Sequence, residues 1–419
     1  MGVIFNEAEA VWEWLMTHLI VINLLFSIII IFFQRRDPRS VWTWLFALNF
    51  IPVFGIIFYL LFGQDLKKSR MFKVKGISDR LNMPVKSQEE IIRSSDIPEE
   101  MMDPLIRDFR SLILYNLETS GAVLTTDNQV KIYTDGQAKF EGLRTALRRA
   151  SRFIHIQYYI IKNDEVFDSI VPILEDKVRE GVEVRILYDG MGGRFMPKRR
   201  WEELRRAGIL VGVFFPPILG WLNLRVNYRN HRKIVVIDGN VGFVGGFNIG
   251  REYISKDPGF GYWRDTHLRI TGEAVMSLQI RFALDWNYAT GENLFKNEAY
   301  FRTDLKKKTD VRRDKERPAW PDPELEGSQV GMQIIASGPD TREPHIRNNY
   351  LELFHKAKHH IYIQTPYFVP DDAIFSALKM AALSGVDVRL MIPCKPDHPF
   401  VYRATCSYAG ELLDYGAKV

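Results

Sequence analysis

One pattern, written twice, limits what this chain can fold into more than any other feature. FIHIQYYI at 153–160 leads through a helical stretch to GVEVRILYDG at 181–190, and HIYIQTPYF at 360–368 leads through another to GVDVRLMIPC at 385–394. Strand, helix and strand in the same order predict a duplicated α/β fold: mixed, mostly parallel sheet units flanked by helices. LRRAGILV at 204–211 also aligns with LLDYGAKV at 412–419, so the second unit can be followed to residue 419. Between the units runs FRTDLKKKTDVRRDKERPAWPDPELEG, a charged, Pro-containing stretch with linker character. The expected layout is a linker with a helix over 64–120, a first half at 121–300, a charged linker at 301–328 and a second, incomplete half at 329–419.

The first 63 residues read differently. After an N-terminal segment, 1–17, the run HLIVINLLFSIIIIFF carries no charge, and VWTWLFALNFIPVFGIIFYLLFG at 41–63 is equally apolar. Each approaches the roughly 20 residues that a spanning helix needs, which predicts transmembrane helices at 18–34 and 41–63. A cleaved signal peptide fits less well, because Glu7, Glu9 and Glu13 precede the first run where basic residues belong. Arg35, Arg36 and Arg39 place the connecting loop in the cytoplasm, whereas Lys67, Lys68, Arg70, Lys73 and Lys75 place the main body there, so orientation stays open. The net charge of +5 suits an anionic partner without choosing one. Cys394 and Cys406 lie in no metal-binding or disulfide pattern and are expected to be ordinary buried residues.

Chemistry concentrates in NHRKIVVIDGNVGFVGGFN, 230–248. KIVVI and VGFVGGF are short β-rich runs separated by Asp-Gly-Asn, a hairpin signal. With Gly239 and Asn240 as a two-residue loop, His231 would face Asn248, Lys233 would face Gly246, and all would share one side of the hairpin. A nucleophile, a fixed cation, an amide donor and a glycine with room beside it suit a tetrahedral phosphate. Asp238 lies seven residues on, roughly 23 Å along an extended strand, too far to touch the imidazole, so ending the strand is its better reading. A histidine nucleophile still needs an orienting carboxylate. The apolar loop FFPPILGWLNL, 214–224, is expected at the mouth of the site as a lipid-facing surface.

HRKIVVIDGNVGFVGGFN resembles the HKD signature of the phospholipase D superfamily. With HIQYYI, LYDGMGG, GGFNIGREY, YWRDTHLRI and IQTPYFVPD, the wider chain resembles bacterial cardiolipin synthases. The resemblance implies that His231 attacks a phosphodiester to form a phosphohistidine, with Lys233 and Asn248 holding phosphoryl oxygens and Gly245 and Gly246 forming the floor. It makes Asp265 the orienting acid, with Asp238 completing the motif as a fourth candidate catalytic residue, and leaves His267 structural. No metal and no cofactor are implied. The expected partners are an anionic phospholipid, phosphatidylglycerol, and the bacterial cell membrane as a multi-pass protein, not nucleic acid; a homo-oligomer is left open. In the family a second motif supplies the general acid. No second H-x-K-x4-D occurs here, which predicts a truncated chain and keeps two alternatives beside cardiolipin synthesis: a phospholipase D-type hydrolase, or an inactive truncated membrane-bound homologue.

Overall fold

The computed structural model describes residues 18, 21–33, 38–62, 86–90, 92–93, 104–216, 229–301, 329–338, 341, 343–395 and 397–419. Most of the charged linker and the basic stretch at 67–75 therefore lie outside the described residues.

The strands are β1 (Thr125–Asp135), β2 (Phe153–Tyr158), β3 (Glu183–Asp189), β4 (Leu210–Phe214), β5 (Ile234–Ile237), β6 (Val241–Gly245), β7 (Arg264–Thr271), β8 (Val330–Met332), β9 (His360–Gln364) and β10 (Asp387–Met391). The first eight form one sheet in the order β4-β3-β2-β5-β6-β7-β1-β8. Only β2–β3 and β3–β4 pair in parallel; the other neighbours are antiparallel. This corrects the expected mostly parallel sheet. Helical crossovers make parallel neighbours of residues 153–214, but from residue 234 a tight turn folds the chain back on itself.

Both faces of the sheet are covered, and β5 shows why the motif strand is continuously apolar. Val235 and Ile237 point into a core with Phe140, Leu147, Leu174 and Leu204 from the helices on one side. Ile234 and Val236 point into a second core with Val275, Leu278, Phe282 and Trp286 of helix Ala274–Thr290. At roughly 25 cal/mol per Å² of apolar surface, this double burial is the main stabilising contribution to the sheet.

The second half holds β9 and β10 in parallel with helices His345–Lys356, Asp372–Leu383 and Pro399–Leu413 around a separate small core. Helix Arg110–Ser120 of the 64–120 segment bridges the halves. Its Asn116 exchanges hydrogen bonds with Asn349 at 3.0 and 2.8 Å and donates to Gln333, while Asn348 donates to Tyr115 at 2.6 Å. Cys394 and Cys406 are exposed rather than buried, since the core of this half lies beneath other residues.

Near the N-terminus, helical residues 21–28 continue into a π-helix at Ile29–Phe33, and Pro38–Phe50 and Pro52–Phe62 are separate helices broken at Ile51. Pro52 has no N–H to continue the ladder, and Gly55 allows the second helix to pack on the carbonyl of Ala47. Among the described residues no helix is long and apolar enough to cross a membrane.

Candidate active site

The hairpin is present, with its register one residue from the expected one. Ile237 pairs with Val241 and Ile234 with Val244, so the turn takes three residues. Asp238 and Gly239 both have left-handed backbones, φ 56° and 72°, and the Asn240 N–H donates to the Ile237 carbonyl at 3.0 Å. Aspartate tolerates this conformation better than most residues. Because side chains alternate along a strand, the slip sets Lys233 on the side of Gly245, not Gly246.

His231, Lys233 and Gly245 accordingly line one cavity of about 420 Å³. The Lys233 ammonium sits 3.2 Å from Nδ1 of His231 and donates to the His231 carbonyl at 2.8 Å. Tyr159 closes over both, its ring centroid 4.8 Å from the imidazole and 5.5 Å from the ammonium. His231 keeps solvent access, while the cavity walls and then the charge of Lys233 lower its pKa to about 4. Burial lowers Lys233 to about 7, with Asp265 pulling it partly back. A neutral imidazole beside a readily discharged lysine is a set that can attack phosphorus and hold its oxygens.

The remaining residues named from the sequence lie around this pair without all entering the cavity. Asp265 feels Lys233, and burial raises its pKa; its carboxylate accepts the Thr266 N–H at 2.7 Å and crowds Gly246 so closely that a Cβ there would collide with it. Gly245 is held free of a side chain by His267 behind it. Asn248 is buried and engaged, accepting from the Ile160 N–H at 3.1 Å and donating to Tyr253 at 2.8 Å. Asp238 sits at the far end of β5. Its carboxylate accepts from the N–H groups of Ser151, Arg152 and Phe153 at 2.8–2.9 Å and from the Ser151 hydroxyl at 3.0 Å. His267 is fully buried, and among the described residues neither of its ring nitrogens has a hydrogen-bond partner. Of the apolar loop, Phe214 and Phe215 are buried in the core rather than offered to solvent, and residues 217–224 lie outside the described residues.

Sequence reasoning passed over a polar network that clamps the histidine segment. Asp285, fully buried on helix Ala274–Thr290, accepts through Oδ2 from Gln157 at 2.7 Å, Asn230 at 2.9 Å and Arg232 at 2.9 Å. Asp189, at the end of β3, accepts the Asn230 N–H at 3.0 Å. The residues on either side of His231 are thereby pinned to two buried carboxylates. An acid on the apolar stripe of a helix, between Phe282 and Trp286, was the available signal. Among the described residues no cluster of His, Cys, Asp and Glu could hold a metal ion.

Comparison with known proteins places this geometry. A family model described as "Cardiolipin synthase, PLD-like domain" matches residues 143–260 and 350–419, and one described as "Phospholipase D-nuclease N-terminal" matches 21–64. Cardiolipin synthase of Listeria innocua is 43% identical over 97% of this chain and 80% of its own length. That of Staphylococcus aureus is 46% identical over 95% of this chain and 77% of its own. The solved phosphatidylserine synthase of Haemophilus influenzae aligns over 68% of each chain at 15% identity, with a TM-score of 0.44.

Proposed function

Since the chain belongs to the bacterial cardiolipin synthase family of the phospholipase D superfamily, and is thus a phosphatidyltransferase acting on phospholipid, we propose that His231 carries the phosphatidyl group. Nε2 of His231 attacks the phosphorus of phosphatidylglycerol. A P–N bond forms, the bond to the headgroup oxygen breaks, and that oxygen takes a proton from solvent water and leaves as glycerol. The hydroxyl of a second phosphatidylglycerol then attacks phosphorus, the P–N bond breaks, the hydroxyl proton passes back to solvent, and cardiolipin is released. Lys233 holds phosphoryl oxygens, and Asp265 keeps it charged. Gly245 and Gly246 leave room for the tetrahedral centre, and Asn248 supports that floor.

The observation that carries this reading is the composition of the cavity. Basic residues and His231 within 229–233 line it together with Phe214, Ile334, Ile335 and Ile346, and among the described residues no acid lines it. A phosphate with acyl chains matches such a wall on both counts, and apolar walls that exclude water favour transfer to an alcohol over hydrolysis. With Lys233 charged, its contact makes Nδ1 an acceptor and leaves the proton on Nε2. A phosphate that draws the ammonium away would free the imidazole to take the reactive tautomer.

Attachment to the bacterial cell membrane, in a multi-pass arrangement, belongs to the same proposal. Leu24, Leu25, Trp42, Phe46, Phe50, Phe54 and Phe58 are exposed apolar side chains on the N-terminal helices, a surface that lipid would cover. The deciding experiment incubates the full chain with phosphatidylglycerol in detergent micelles and follows glycerol release, with His231→Ala as control. Loss of at least about a thousandfold is expected; equal rates in the two would remove the proposal.

A further inference from the structure

The reactive histidine is not held by the sheet. Strand pairing on both sides of β5 starts at Ile234, opposite Gln157 and Val244, so His231 stands three residues before the ladder begins. Residues 229–233 form no regular structure, and His231 is exposed. A segment of that kind ordinarily frays. What fixes this one is a set of hydrogen bonds centred on Asn230. Its N–H donates to Asp189 at 3.0 Å and its amide NH2 to Asp285 at 2.9 Å, while its Oδ1 accepts from Gln157 at 2.9 Å and from the Arg232 N–H at 3.2 Å. The last of these closes an Asx turn directly across His231.

Asp285 anchors that set. Its Oδ2 alone accepts from Gln157, Asn230 and Arg232, so one carboxylate oxygen holds the residue before His231, the residue after it and the strand beside them. Oδ1 has no hydrogen-bond partner among the described residues. Burying a carboxylate that is satisfied on one side only is costly, which a purely structural acceptor would not require. The helix that carries it is immobilised by Phe282 and Trp286 in the core, and the three bonds pass that rigidity to the backbone around His231. The imidazole itself meets Lys233 and Tyr159, so Asp285 acts on it without touching it.

We infer that Asp285 is a positioning residue for phosphatidyl transfer: acting through Asn230 and Arg232, it holds the His231 imidazole beside Lys233 in the orientation that attacks phosphorus. The inference rests on His231 being the nucleophile of the proposed reaction, and it adds to that reading a group that touches neither substrate nor the reacting nitrogen. Without Asp285, Asn230 and Arg232 lose their fixed acceptor, and the imidazole is free to leave Lys233 for solvent.

The test follows glycerol release by the full chain in mixed micelles of phosphatidylglycerol and detergent across pH, per folded molecule. Asp285→Ala should lower kcat at the optimum about a hundredfold with KM unchanged, the loss expected when a nucleophile is displaced by about 1 Å. Its acid limb should also move. In the parent that limb lies at about pH 4, where the cavity walls and Lys233 hold His231. An imidazole released to solvent returns toward its ordinary value of about 6.5, so the limb should rise by about one pH unit or more. Losing a nearby negative charge would by itself push the limb the other way, and a smaller folded fraction would leave it in place. Asp285→Asn is the conservative variant: its amide oxygen can still face the three donors, so kcat within about fivefold of the parent and an unmoved limb are expected. An unmoved limb in Asp285→Ala overturns the inference, as does an equal loss of kcat in Asp285→Ala and Asp285→Asn, which assigns the effect to charge. Should Asp285→Ala not fold, Asn230→Ala breaks the same link from its other end and is decided by the same limb. The transfer reading fails separately, on glycerol release that survives His231→Ala.

Discussion

The sequence repeat places an acid and an arginine two residues apart on equivalent strands, Glu183 and Arg185 on β3 and Asp387 and Arg389 on β10. Both pairs form, at 2.7 and 2.8 Å. Around the first, helix Ala274–Thr290 and the turn after it close in. Arg185 is buried, stacks on Trp286 at 5.0 Å and gains Glu292 as a second partner. Burial alone would raise the Glu183 carboxyl, but the His155 ring nitrogen 3.5 Å away and hydrogen bonds from Arg185 and Tyr300 outweigh it and hold the pKa at about 2. The second pair stands on an open strand face beside exposed Tyr362 and Met391, with Lys418 also bound to Asp387. The same dipeptide pattern is a structural keystone in one half and a solvated ornament in the other. What differs is the cover, and cover decides both energetics and chemistry.

The largest effect expected from this contrast is on pH dependence, which should reside wholly in the first half. His231 must be neutral and Lys233 charged, so kcat/KM for glycerol release should rise up to about pH 4 and fall above about 7, by about tenfold per unit outside that window. Lys233→Arg should move the alkaline limb out of range; an unmoved limb would mean another group sets it. Next, Arg185→Ala should cost about 3 kcal/mol in urea unfolding, because it leaves Glu183 and Glu292 facing each other without their cation. Asp238→Asn should cost about 2 kcal/mol, since an amide NH2 replaces an acceptor facing N–H donors, and spare turnover per folded molecule, whereas Asp265→Asn should do the reverse. If Asp238→Asn lowers turnover far more than Asp265→Asn with the fold intact, the assignment of roles is wrong. Smallest of all, Arg389→Ala should leave the unfolding midpoint where it was, and a loss matching that of Arg185→Ala would show that this face is covered in solution.

The repeat was readable because a short strand of alternating or continuous apolar residues, followed by a helical stretch and a second such strand, leaves little choice of local structure. Pairing direction was not, because it depends on which strands become neighbours, and β2 chose β5, across the 75 residues between Tyr158 and Ile234, rather than another crossover strand. The hairpin was legible in Asp-Gly-Asn but its register was not, since the same three residues serve a two-residue or a three-residue turn until Asp238 commits to a left-handed backbone. His231 and Lys233 stood out as local spacing. Asp285 and Asp189 did not, for they meet the motif only after helix and sheet have packed.

Asp238 joins the turn after β5 to the start of β2, 85 residues earlier in the chain, through four donors. The first residues of a strand ordinarily fray, and their amide protons exchange with solvent through small local openings. Here the amides of Ser151, Arg152 and Phe153 can open only if the motif hairpin lets go of them. Their exchange rates therefore report, from outside the active site, on how firmly the strand behind the reactive histidine is seated.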